Sequence, residues 1–380
     1  MSERYVGAWE QAGLFNPLNA PTPSYTYNLY AWGSNNGGQL GLSNTGSIYS
    51  SPTQVGSLTN WLNISAAYFS FGIKTDGTLW SWGFNNFGQL GLNNRTYYSS
   101  PKQVGLLTNW STISQTKNNY SAGHVLAVKT DGTLWAWGRG ANGCLGLGNT
   151  TYYSSPKQVG ALTNWSSVTA GKYLSIAIKT NGTLWSWGFN NNGQLGLNNT
   201  TSYSSPMQIG ALTNWLAVTA GYYNALALKT DGTLWAWGNN GYGNLGLGNT
   251  ANYSSPKQVG LLTNWSKISM SRFSSFGIKT DGTLWAWGGG NAGDLGLGNT
   301  TSYSSPKQVG ALTNWSSISN SWVSASAIKT DGTLWSWGQN NAGQLGLSNT
   351  TYYSSPKQVG TLTRWGKISQ GGYQTLGLLY

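Results

Sequence analysis

The chain of 380 residues holds 54 Gly, 22 Trp and 22 Tyr, with only 7% charged residues and a formal net charge of +12. Its 14% aromatic content supplies ample apolar surface for a core and excludes a disordered chain, while apolar runs of a few residues exclude a membrane-spanning helix. A single Cys (Cys144) and a single His (His124) exclude an internal disulfide and the usual three- or four-ligand zinc site, and no metal or other cofactor is expected.

In chain order, residues 1–24 read as an N-terminal arm and residues 25–380 as one domain. The start, MSERYVGAWEQAG, lacks the apolar stretch of a secretory leader. The arm holds Pro17, Pro21 and Pro23, and its Trp9 and Phe15 are candidates for tethering the chain to a larger assembly such as a virion or cell surface. A virion-associated or cytoplasmic location is the corresponding expectation.

The domain is a repeat. A Trp-Gly element recurs at Trp32, Trp82, Trp137, Trp187, Trp237, Trp287 and Trp337, and a Thr-x-Trp element keeps the same beat from Trp61 to Trp365. Within one unit, Trp165 to Thr169 reads as a first strand (A) and Leu174 to Lys179 as a second (B). The turn Thr180-Asn-Gly182 leads to a third (C), Thr183 to Trp187, where large and small side chains alternate. A Gly-rich loop through Gly193-Gln-Leu-Gly196 then leads to a fourth (D) near Pro206 to Ile209. Four strands per unit, with no helical period, predict an all-β, seven-bladed β-propeller.

The ends complement each other. The first unit enters at Leu29 with strands C and D only, and the last, from Trp365 to Leu379, has A and B only. A blade shared by both termini would close the ring and remove free sheet edges.

The Gly-x-Leu-Gly elements that follow each Trp-Gly, as in Gly193 to Gly196, and the preceding Lys-Thr-Asp-Gly turns resemble the regulator of chromosome condensation repeat over nearly the whole chain. The near-identity of the units is similar to bacterial or viral members. That resemblance implies a seven-bladed propeller. Through the family's best-known member it also implies guanine nucleotide exchange on the small GTPase Ran, or chromatin binding. Repeats of that family commonly carry a His at the start of strand B. The matching positions here are Phe69, His124, Leu174, Asn224, Ser274, Ser324 and Gln374, so one of seven keeps it and the chain departs from that pattern.

Between otherwise similar units, two loops vary: the one after Trp-Gly, and the one between strands A and B. Counting chain reversals places both at one end of the ring, opposite the Lys-Thr-Asp-Gly turns. Their aromatic residues, Tyr68, Phe84, Phe87, Tyr120, Tyr173, Phe189, Tyr223, Tyr242, Phe273, Trp322 and Tyr373, together with the Asn around them, read as a face that binds a protein or glycan partner. The other reading is loop drift, with the rings capping the core. Lys102, Lys157, Lys257, Lys307 and Lys357 form an incomplete basic ring that either supports weak polyanion binding or keeps a charge-poor chain in solution. The lysines two residues before the turn aspartates, such as Lys229 and Asp231, should nearly neutralise them.

Little remains for catalysis. The Gly-x-Gly-x-x-Gly matches at Gly138 and Gly288 open no helix. His124 and Cys144 share one unit and form either a nucleophilic pair or two unrelated substitutions. A non-enzymatic structural or interaction module is therefore expected, and the alternative is an exchange factor or chromatin-binding protein of the Ran-regulator type.

Overall fold

The computed structural model describes residues 26–116 and 123–380. Their strands make seven antiparallel sheets of four, with a short 3-10 turn at Ala141–Gly143. The arm residues Trp9 and Phe15, and Tyr120 of the variable loops, lie outside the described residues. Among the described residues no helix is long and apolar enough to cross a membrane.

A representative blade runs Trp165–Ala170, Leu174–Lys179, Leu184–Gly188 and Tyr203–Gln208. The first three match expectation to within a residue. Strand D begins earlier than expected, at Tyr203, because Pro206 does not open it. Gly188 pairs with Tyr203 and Ser186 with Met207, so Pro206 sits inside a bulge. The outermost strand tolerates this because a proline that cannot donate to the ladder faces no further strand.

The termini close the ring as expected. Asn28–Ser34 and Ile48–Gln54 supply strands C and D, while Trp365–Gly371 and Gln374–Leu379 supply A and B. The first and last strands pair from Asn28 opposite Leu379 to Gly33 opposite Gln374. The A strands of all seven blades surround a central channel of about 260 Å³.

The core lies between blades. Leu174, Ile176 and Ile178 of one blade pack against Trp215, Ala225, Ala227 and Trp237 of the next. The Trp-Gly tryptophans are fully buried, and each donates its Nε1–H to the carbonyl of the variable residue in the preceding blade's Gly-x-Leu-Gly. Trp237 reaches Gln194 at 2.9 Å and Trp187 reaches Cys144 at 3.0 Å, with the same link at every blade junction. This explains the motif's second glycine. Gly196 has φ +71°, and a Cβ there would stand 2.8 Å from Trp237 Nε1. Strand A hydroxyls add a second tie. Ser114, Thr169, Ser319 and Ser369 accept the N–H of Ala170, Ala220, Gln370 and Ala66 in the following blades, at 3.0–3.1 Å.

In the Lys-Thr-Asp-Gly turns the two opposite charges are each held by different neighbours. Lys229 Nζ lies 3.7 Å from the Trp235 ring and 5.0 Å from Trp215. Asp231 instead accepts the Thr233 N–H and hydroxyl, at 2.9 and 2.6 Å, and Trp235 donates to that hydroxyl. Burial lowers the lysine's pKa, which Asp231 partly offsets. The Thr233 hydrogen bonds hold the aspartate below the usual carboxylate range.

Candidate interaction face

The two variable loops meet in every blade. The first residue after each Trp-Gly donates its N–H to the A–B loop of its own blade, as Phe189 does to Tyr173, Asn239 to Tyr223 and Gly289 to Phe273, at 2.8–2.9 Å. At the opposite end the B–C turn meets the D–A link, where Trp215 N–H donates to Gly182 O at 3.1 Å. The described variable residues therefore share one face.

Not all of them are available on it. Asn35, Asn85, Asn190, Asn240 and Asn340 are fully buried. Asn190 Nδ2 donates to Asn199 O at 3.1 Å and its Oδ1 accepts Leu195 N–H at 2.9 Å, so this asparagine folds the loop rather than facing a partner. Tyr68 is likewise only 4% exposed. Its ring meets Phe84 edge-on at 6.2 Å and covers Gly372, so it caps the core and offers no binding surface. Phe84 packs in turn on Tyr97, and Tyr373 is half-buried against the same cluster. Tyr242 is 44% exposed beside Phe273, with ring centroids 4.8 Å apart, and Phe189 lies 5.8 Å from Tyr223.

A second column, one residue earlier, contributes only its Trp322 to a reading confined to the aromatics. In four successive blades it holds Lys172, Tyr222, Arg272 and Trp322, alternating cation and ring. Lys172 Nζ stands 4.3 Å from the Tyr222 ring; the Arg272 guanidinium lies 4.7 Å from Tyr222, 4.7 Å from Phe273 and 5.8 Å from Trp322. Arg139 extends the arc, 5.0 Å from Phe87 and 5.1 Å from Tyr173. The alternation was visible at the 50-residue spacing of these four positions. Their stacking was not, because it joins neighbouring blades.

Among the described residues the arc lacks a counter-charge. Asp76, Asp131, Asp231, Asp281 and Asp331 lie in turns at the opposite end, and Asp294 is 3% exposed. Arg272 makes no guanidinium hydrogen bond among the described residues, so its donors remain available once its flat faces are held by rings. Lys102, Lys157, Lys257, Lys307 and Lys357 stand apart from it on the outermost strands. Each is exposed and lies 5.6–5.8 Å from the tyrosine ring four residues earlier.

His124 and Cys144 are no nucleophilic pair. The Cys144 thiol donates to Arg139 O at 3.2 Å, and burial pushes it up to about 12. Ser175 Oγ–H donates to the Cys144 carbonyl at 2.6 Å, which leaves His124 Nε2–H to donate to Ser175 at 3.1 Å and Nδ1 to accept from Thr116 at 2.7 Å. Burial lowers His124 to about 3, so the ring is neutral and structural. The whole column from Phe69 to Gln374 is buried beneath the face.

The family model of the regulator of chromosome condensation (RCC1) repeat matches residues 28–70, 76–118, 131–178, 181–228, 231–278, 281–327 and 331–378. The chain belongs to the RCC1 repeat family. Its fold is shared with Prp20p from Saccharomyces cerevisiae, in a structure described with its binding to Gsp1p and histones: 16% identity, TM-score 0.83, 100% of this chain and 95% of that one. The structure of Kap60 bound to yeast RCC1 (Prp20) matches at 18% identity and TM-score 0.81, covering 95% and 90% of the two chains. Human WBSCR16 matches at 20% and 0.81, covering 93% and 98%. At these identities the likeness is one of fold. Within this RCC1-repeat ring, the cation–aromatic arc is set by side chains that differ from unit to unit, whereas the tryptophan links are common to all.

Proposed function

We propose that this RCC1-repeat protein is a non-catalytic interaction module that docks an acidic protein surface on its variable face. The observation that carries the reading is the Lys172–Tyr222–Arg272–Trp322 arc, whose stacked cations face no side-chain carboxylate among the described residues. Preformed cations cost a partner little ordering entropy, and aromatic and Arg residues are those enriched where interfaces bind tightly. Prp20p, of similar fold, is described as binding proteins. A photo-cross-linking residue in place of Trp322 should capture the partner in its native extract, and Arg272→Ala in the same protein should abolish capture. The same probe in place of Lys307, on the outer wall, should stay silent. Capture at position 307 alone would place the partner elsewhere. The N-terminal arm, with Trp9 and Phe15, is proposed as a tether, and deletion of residues 2–22 should release the protein from its assembly while the ring stays folded.

A further inference from the structure

The turn end of the ring presents two features that its own fold does not require. Each of the seven D–A links carries a leucine 46–49% exposed, such as Leu212 and Leu262, and Leu106 and Leu261 add two more at 91%. Where those two stand, other links have Ala161, Ala211 and Ala311, so the fold needs no large apolar side chain there. The same end presents Asp76, Asp131, Asp231, Asp281 and Asp331, all exposed. Asn181 takes the aspartate's place in one turn and accepts the Thr183 N–H and hydroxyl at 3.2 and 2.7 Å. An amide therefore makes the turn's hydrogen bonds, and the charge of the other five is surplus to them. The lysines of these turns are 5–7% exposed, with Nζ 3.6–3.7 Å from a tryptophan ring, so the carboxylates are the charges a partner meets first. The outer-wall lysines lean toward the tyrosine four residues earlier, away from this end, and Arg364 adds one exposed cation at the closing blade.

The variable end offers the opposite set. Its loops hold Arg95, Arg139, Lys172 and Arg272, and the described residues place no exposed carboxylate among them. Tyr97, Tyr152, Tyr242 and Tyr352 of the same loops are 37–50% exposed. Acid and leucine at one end thus match cation and ring at the other. The area suffices as well: the nine link leucines expose on the order of 1000 Å² together, against the ~800 Å² that each partner buries in a standard interface. Apolar surface of that extent marks an interaction site.

We infer that the acidic surface docked on the variable face is the turn face of a second copy of this chain, so that rings stack head to tail. Arg272 and its neighbouring cations meet turn aspartates, and exposed tyrosines meet link leucines. The inference rests on the acidic-partner reading above and names its partner. A head-to-tail contact leaves one face free at each end, so the assembly does not close and grows with concentration.

Sedimentation velocity at about 0.15 M salt, which screens the repulsion between chains of net charge +12 beyond about 8 Å, should show an average mass that rises with concentration. Arg272→Glu sets like charges against each other and should weaken association about a hundredfold. A second variant alters only the turn face, with Asp→Asn at positions 76, 131, 231, 281 and 331 and with Leu106→Ala and Leu261→Ala. All of these install residues that other units carry, so the variant should melt like the wild type while associating as weakly as Arg272→Glu. Each variant alone should be monomeric, and an equimolar mixture should form a 1:1 pair that grows no further, because it joins the one intact face of each. A wild type that is monomeric at about 1 mM, a closed dimer of either variant, or a mixture that stays monomeric would overturn the stacking. A monomeric wild type whose probe at position 322 still captures an acidic protein from the extract would end this inference and leave the acidic-partner reading standing.

Discussion

Asp294 shows how one side chain can carry a pH dependence that its neighbours in the ring do not. It takes the place held by Gln194 and Asn244 in other units, is 3% exposed, and has one carboxylate oxygen without a partner. Burial raises it to about 6. Because the folded pKa exceeds the unfolded one, the folded state binds the extra proton between about pH 4 and 6. Stability is highest below that window and falls as pH rises through it. Asp294→Asn should therefore stabilise the protein at pH 7 by about 2–3 kcal/mol, a gain that vanishes near pH 4. Urea midpoints at the two pH values test this, and an equal gain at both would refute the assignment. The neighbouring unit already carries Asn at this position, so the amide fits the scaffold. His124 is the opposite case: buried with both nitrogens engaged, it gains nothing from charging.

Between elements, the tryptophans divide into two sets that sequence treats alike. Trp237 Nε1 is bonded to the preceding blade, whereas the Nε1 atoms of Trp215 and its equivalents are buried without a partner among the described residues. Trp237→Phe and Trp215→Phe remove similar volume, but only the first leaves the Gln194 carbonyl without its indole donor. The first should cost about 1–2 kcal/mol more than the second. Chemical denaturation of the pair measures the difference, and equal losses would deny the link its role. The same scale explains the loops: Asn190 holds its own turn, and Gly140 and Gly290 replace that asparagine where a Cβ would meet the Thr151 and Thr301 carbonyls at 2.0 and 2.4 Å. Strand D was the element least legible in sequence, because Pro206 reads as a boundary until its position in a bulge of the edge strand is known.

For the whole molecule, closure is the decisive interaction. The seventh blade joins residues more than 300 positions apart, and no internal unit can replace it. Removing residues 365–380 should leave the Asn28–Ser34 strand with an open edge and the flanking blades without a neighbour. The expected result is broadened unfolding and association through free edges. Calorimetry and size-exclusion chromatography would show it, and a monomer with unchanged melting would contradict it. At this scale charge also sorts by place. The turn lysines lie against tryptophan, the exposed lysines stand on the outer wall, Lys172 and Arg272 crown one face, and Lys267 and Lys367 line the channel.

Blade count, strands A to C of each blade, the shared closing blade and the end at which variation gathers are legible in the linear chain. These follow from repeat period, Asp-Gly turn chemistry and alternation along single strands, all local in the chain. Tertiary structure alone decided which aromatic residues remain available. Tyr68 is sealed by Phe84 and Gly372, while Tyr242 stays exposed. It alone also stacked Lys172 and Arg272 on Tyr222 and gathered Lys267 and Lys367 into one cavity. The reason is geometric: the Gly372, Lys172–Tyr222, Arg272–Tyr222 and channel contacts cross from one blade to another, and ring curvature rather than sequence spacing sets which side chains meet there.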